Sequence, residues 1–232
     1  ATLVHSCIVR ERFSSERPMI VPYLLMFIVL GPLGWADPVQ AQPALQPLTT
    51  ESLNECHLGR MAQERALRLA HFEKGQRLGE QAVSLDDRSA DAHFALFCNL
   101  GELMRLDGEM SLGSVMGFRR MMKELDRTLE LAPDHLDALS ARGTFLVRLP
   151  AVLGGNPDTG EQLLRRVIAN EPQAVNARLS LAKSYCARGR HNEAVLLASE
   201  ALALAESQHR EDFIPEAKRV VAQLHAAADR NN

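Results

Sequence analysis

Aromatic residues are scarce in this 232-residue chain, which has one Trp, two Tyr and eight Phe. Neither sign of charge dominates: 26 Lys and Arg stand against 29 Asp and Glu, a net −3 at pH 7. No basic stripe with interleaved aromatics appears, so nucleic acid is not an expected partner. Cysteines occur only at 7, 56, 98 and 186, without a Cys-x-x-Cys pair or a haem-attachment string. Small apolar packing is the expected role of Cys56, Cys98 and Cys186. Once Cys7 leaves with the leader described below, the odd count implies at least one free thiol. The histidines are dispersed, with no i, i+4 pair, and neither a metal nor a cofactor is expected.

Motifs of catalysis are equally thin. Gly113-Ser-Val-Met-Gly117 has its Ser in the wrong place for a nucleophile elbow. Gly154-Gly-Asn-Pro-Asp-Thr-Gly160 lacks the Lys of a phosphate loop and joins two helical patterns rather than a strand and a helix. Ser180-Leu-Ala-Lys183 has no Lys-Thr-Gly or Ser-Asp-Asn companion. The sequence therefore reads as a non-enzyme.

What is present is repetition. From Val175 to Gln208 the chain places small or apolar residues at Leu181, Ala182 and Tyr185, breaks at Gly189, and resumes with Ala194, Ala198 and Ala201. Apolar residues at helical spacing, a short polar turn and a second such run describe an antiparallel helix pair, with Ala194 and Ala201 facing the neighbouring helix. Similar closing stretches end at Asp87, Pro133 and Pro172, spaced by 46 and 39 residues. Against a period of about 34 residues, the second unit carries 12 extra residues and the third 5. The units fall at 56–89, 90–135, 136–174 and 175–208, followed by an amphipathic closing helix over 211–228. In the first unit Phe72 is placed at the turn. Gly75 and Gly79 stand inside its second helix, at a cost of about 1 kcal/mol each relative to Ala.

This pattern resembles the tetratricopeptide repeat (TPR), and the fold class is all-α: an α-solenoid of TPR-like helix pairs with a C-terminal closing helix. The resemblance implies that the first helices of successive repeats line a concave surface. The second repeat then offers Asp91, Phe94, Cys98 and Glu102, the third Asp137, Ser140, Thr144 and Arg148, the fourth Asn176, Leu179, Lys183 and Cys186. Lys183, pointing into the groove, is expected to matter little for stability. Ala95, Ala141 and Ser180 stand where the family's carboxylate-gripping clamp has other residues, so that clamp is missing. Both insertions are placed between the two helices of their repeats, as neighbouring apolar loops over Asp107 to Phe118 and Arg148 to Asp158. Val152 and Leu153 are the second loop's candidate contact residues.

The first forty residues read as an address. Met19 to Ala36 carries no charge, Arg10, Arg12 and Arg17 precede it, and Val39-Gln40-Ala41 is a small-x-small cleavage pattern. That is a secretory signal peptide with Met19 as a plausible true start; the rival reading is an inner-membrane anchor. Three arginines, two glutamates and Asp37 lie in residues 1–41, so removing them leaves the charge balance unchanged. Residues 42–50, rich in Pro and Gln, read as a linker. A periplasmic or secreted protein without a membrane span after processing is the expectation.

The second insertion carries a narrower resemblance. Leu149-Pro-Ala-Val-Leu-Gly-Gly-Asn-Pro157, running into Gly160-Glu-Gln-Leu-Leu-Arg-Arg-Val-Ile168, looks like the irregular TPR proteins associated with tripartite ATP-independent periplasmic transporters. It is also similar to the helical domain of regulators of microtubule dynamics. The first resemblance implies a protein partner, a periplasmic solute-binding protein, and a homo-oligomer. The chain departs from that family in having no lipid-anchor Cys after the apolar segment. A scaffold for protein binding is the reading adopted, and a carrier of a hydrophobic small molecule on the same frame is the alternative.

Overall fold

The computed structural model describes residues 42–107 and 112–229, so the leader read over 1–41 lies outside the described residues. Nine α-helices follow one another among them: α1 Gln42–Met61, α2 Arg65–Leu85, α3 Ala90–Asp107, α4 Leu112–Leu131, α5 Leu136–Arg148, α6 Pro157–Asn170, α7 Val175–Ala187, α8 His191–Ser207 and α9 Ile214–Asp229. Each packs on its successor, and α1 also packs on α3, α5 on α7 and α7 on α9. The odd-numbered helices thus form the inner side in two groups, α1 with α3 and α5 with α7 and α9, and aromatic side chains link α3 to α5. The fold is all-α, a stack of antiparallel helix pairs of the TPR type.

Local chemistry fixes where helices start and stop. Asn156 caps α6 by accepting a hydrogen bond from the Thr159 amide at 3.1 Å, with Pro157 and Asp158 in the first turn. His135 caps α5 through Nδ1, which accepts from the Ala138 amide at 3.3 Å. Gly189, at φ 75°, supplies the left-handed residue that lets the chain reverse between α7 and α8. On α8 a stripe of Ala194, Ala198, Ala201 and Ala205 is fully buried, and small side chains there let the axes of α7 and α9 approach closely. Leu164, Val167, Leu179 and Tyr185 complete this C-terminal core. A second core, around Leu96, Leu100, Met121 and Leu125, holds the N-terminal pairs together. It is extended by aromatic contacts: Phe97 meets Phe145 edge-on at 6.3 Å and Phe118 meets the same ring at 6.1 Å.

The first helix pair differs from expectation in three ways. Residues 42–50 are not a linker but the first half of α1, which carries Pro47 inside it. The turn falls at residues 62–64, and Phe72 lies in α2, fully buried, rather than at the turn. The two glycines of α2 are sites of close approach: a Cβ on Gly79 would stand 2.9 Å from the Leu96 Cα, and one on Gly75 would collide with the Asn99 side chain. Leu96 offers backbone there, which cannot move aside, so Gly79→Ala should separate α2 from α3. It should cost about 1–3 kcal/mol in chemical denaturation, despite the better helix propensity of Ala. A gain in stability would show that the two helices are not in contact there.

The cysteines also require correction. Cys56 and Cys98 do not act as separate packing residues; they form a disulfide between α1 and α3, with Cα atoms 6.3 Å apart. Among the described residues Cys186 is a free thiol, half-buried, with its Sγ 3.8 Å from Nδ1 of His191. The first insertion is not a loop either. Residues 112–118 belong to α4, and the extra residues of that unit lengthen α3 and α4; positions 108–111 lie outside the described residues.

Candidate functional site

The inner helices enclose a groove of about 560 Å³. Phe94, Cys98 and Glu102 of α3 line it, together with Ser140, Thr144 and Arg148 of α5 and Lys183 of α7. These three helices present residues three or four positions apart, so one face of each turns inward. Val152 and Leu153 do not join them. They sit on the short 3-10 turn Ala151–Leu153 after α5, and at 90% and 55% exposure they are bare apolar surface. Of the other inward positions, Leu179 is buried in the core and Cys186 lies outside the groove.

Two walls were not foreseen. Leu53, His57 and Arg60 of α1 close one side, and Arg210, Asp212, Phe213 and Glu216 at the start of α9 close the other. The first comes from the second half of α1, beyond the residues read as a linker, and the second from the closing helix and the turn before it, which have no template position. Both bring charge. Arg60 donates to Glu102 at 2.7 Å and to the Cys98 sulfur at 3.4 Å, and Arg105 reaches the other oxygen of Glu102. Arg210 holds both oxygens of Asp212, at 2.9 and 2.8 Å. Lys183 is not free: it pairs with Glu216 of α9. Lys183→Ala therefore removes the partner of a half-buried carboxylate, and its cost is not negligible.

Between these charges the lining is polar. Thr144 Oγ1 donates to Ser180 Oγ at 2.8 Å, and Asn176 Nδ2 donates to Ser140 Oγ at 3.2 Å. Phe94 and Phe97 provide the apolar shelf, with ring centres 5.7 Å apart. A second polar cluster lies away from the groove. Glu161, buried on α6, accepts from Ser184 at 2.8 Å and from Arg165 at 3.0 Å, while Arg190 stacks 3.5 Å above the Tyr185 ring. Its groups satisfy one another across α6, α7 and the turn into α8, which gives the cluster a structural role.

Burial pushes the Asp212 carboxyl up, but the hydrogen bonds and charge of Arg210, with His57 and Arg60 opposite, outweigh it and hold it below the usual range. Its folded value thus lies below the ordinary 3.8. The stabilisation is complete above that value and fades as pH falls through the depressed one. The stability difference between wild type and Asp212→Asn should accordingly be largest near neutral pH and shrink in acid. A difference that stays constant from pH 7 to pH 3 would place Asp212 outside this pairing.

Among the described residues no helix is long and apolar enough to cross a membrane, and no group of His, Cys, Asp and Glu could hold a metal ion. Fold and groove together define a class: a TPR-like helical solenoid with a polar, ion-paired inner channel. No protein-family profile matches the chain, and no curated protein does. Solved structures similar to it include a thermophilic TPR protein of Thermus thermophilus, at 19% identity over 81% of this chain and 98% of that one, TM-score 0.49. MamA of Desulfovibrio magneticus is similar at 15% identity over 77% and 97% of the two chains, TM-score 0.42. YrrB, a TPR protein with an unusual peptide-binding site, is similar at 15% identity over 63% and 84%, TM-score 0.35. The fold assignment rests on the pairing of helices in this chain itself.

Proposed function

We propose that this protein is an exported, non-catalytic scaffold whose inner groove holds a segment of a partner protein. One observation carries the reading: five helices direct polar, charged and aromatic side chains into a single channel. Its charged and hydroxyl groups lie outside the two apolar cores that hold the stack together, while Phe94 and Phe97 adjoin the second. Hydroxyl, amide and guanidinium groups beside an aromatic shelf suit a peptide main chain with mixed side chains better than a hydrophobic small molecule. Export is supported by the charged, apolar and small-residue order of residues 10–41 and by the Cys56–Cys98 disulfide, which suits an oxidising compartment. The Leu-Gly-Gly turn favours an accessory role beside a periplasmic solute-transport system, with a solute-binding protein as partner. The exposed Val152 and Leu153 form a second contact in this reading, for the same partner or for another copy of the chain.

A photo-crosslinking side chain at Thr144, in the groove, and another at Leu196, exposed on α8, separate the alternatives in the cell of origin. The Thr144 probe should yield a defined protein adduct that Phe94→Ala and Arg148→Ala weaken. The Leu196 probe should not. Val152→Ser with Leu153→Ser should reduce the yield or the oligomeric size by light scattering, without loss of helicity. Equal adducts from both positions, unaffected by the groove substitutions, would rule out the groove.

A further inference from the structure

The charges lining the groove are divided along its length. Some are already neutralised in place, Lys183 by Glu216 and Arg210 by Asp212. At one end Arg60 and Arg105 share the single carboxylate of Glu102. Arg148, in the last turn of α5, has no ion pair or hydrogen bond among the described residues. At the other end Asp137, in the first turn of α5, and Glu171, just before α7, both lie within electrostatic reach of Arg210. Arg210 is already committed to both oxygens of Asp212.

The two ends are distinct because α3 and α5 run in one direction, joined by aromatic side chains. Phe94 meets His135 at 4.6 Å near the start of α3 and α5, and Phe97 meets Phe145 further along. The carboxyl-terminal ends of α3 and α5 therefore lie together, with Glu102, Arg105 and Arg148 at that end. Asp137 and Arg148 face the same channel from opposite ends of one helix. At a rise of about 1.5 Å per residue their backbones are roughly 16 Å apart. An extended peptide covers that distance in about five residues.

We infer that the groove selects an extended peptide segment bearing an acidic and a basic side chain about five positions apart, with an apolar side chain between them. The acidic group goes to Arg148 and the under-neutralised Arg60–Arg105 end, and the basic group to Asp137 and Glu171. The apolar side chain rests on Phe94 and Phe97. This rests on the groove being the binding surface, and it names the chemistry that the groove reads. Arg60 and His57 also approach Asp212 across the channel, so the positive end is partly screened. The preference should be correspondingly graded rather than absolute.

Three end-capped synthetic peptides test it by fluorescence anisotropy. All share a central Leu, and their two charged positions hold Asp and Lys, Asp and Asp, or Lys and Lys. Wild-type protein should bind the mixed peptide most tightly, by roughly threefold to fivefold for each mismatched end. Arg148→Glu brings the positive end to neutrality, the new carboxylate and Glu102 standing against Arg60 and Arg105, and should erase the preference for Asp there, drawing the Lys, Lys peptide level with the mixed one, a change of roughly threefold to fivefold. An unchanged order in Arg148→Glu, equal affinity for all three, or no binding by any would overturn the inference. Asp137 and Arg148 also complement the dipole of α5. If that were their whole role, Arg148→Glu would lower the melting temperature and leave the ranking intact, which counts against the inference. Phe94→Ala tells the two levels apart. Binding that it weakens, but without charge ranking, leaves the groove standing and removes the charge rule. Binding that it leaves untouched removes the groove.

Discussion

Cys56→Ser with Cys98→Ser should lower stability by about 2–4 kcal/mol under oxidising conditions. The cross-link spans 42 residues of sequence, so its loss restores substantial conformational freedom to the unfolded chain. It also ties α3 to α1, a helix whose buried face carries several polar side chains. Ser52 donates to the Gly75 carbonyl at 2.8 Å, and Asn99 donates to the Ser52 carbonyl at 3.0 Å. With Thr49, Ser52 and Glu55 buried on α1, apolar burial contributes little there and the covalent tie carries more of the load. Reduction of the wild-type protein should reproduce the variant's denaturation midpoint. Without reductant, alkylation of the folded domain should modify Cys186 alone. Modification of all three thiols, or a variant as stable as wild type, would contradict the pairing.

The second large effect should come from Leu164→Ala, at about 2–5 kcal/mol. Leu164 is fully buried on α6, and its Cγ lies 2.8 Å from where a Cβ on Gly143 would stand. Gly143 and Gly160 bring α5 and α6 so close that the Leu164 side chain fills the remaining space between the two helices and α7. Truncation leaves a cavity that the rigid glycine contacts cannot collapse to fill. Thermal denaturation followed by circular dichroism reads this directly. Leu196→Ala, on an exposed face of α8, should be nearly silent in the same assay. Equal losses for the two would mean that the inside and outside of the stack have been exchanged.

The parts of this fold legible in sequence were those built from apolar periodicity. Leu181, Ala182, Tyr185, Ala194, Ala198 and Ala201 follow helical spacing, and each is buried. The first half of α1 was invisible because its inner face is Thr, Ser and Glu rather than Leu or Val, and because Pro43 and Pro47 with Gln42 and Gln46 look like a linker. Ser52 donates to the Gly75 carbonyl and Glu55 pairs with His71 and Lys74, so polar contacts replace the apolar signal. The disulfide was hidden for a related reason. Its two cysteines belong to different helix pairs, and only the contact of α1 with α3 brings them together.

The groove shows the same division. Phe94, Cys98, Glu102, Ser140, Thr144, Arg148 and Lys183 share it because a regular frame places them on inner helix faces. Arg60 falls inside the first unit at 56–89, which supplied no groove candidates, and Asp212 lies in the turn before α9, where no repeat position points. Val152 and Leu153 were chosen for apolar character beside a glycine turn, and the structure sets them apart from the channel.

The central claim is that the inner faces of α3, α5 and α7 recognise a partner, and amide hydrogen exchange with and without a captured partner tests it most directly. The account predicts slower exchange along Phe94–Glu102, Ser140–Arg148 and Asn176–Lys183, with the outer helices α4 and α8 unchanged. Protection confined to the 149–156 turn and the first turns of α4, with the three inner helices exchanging as before, would contradict it.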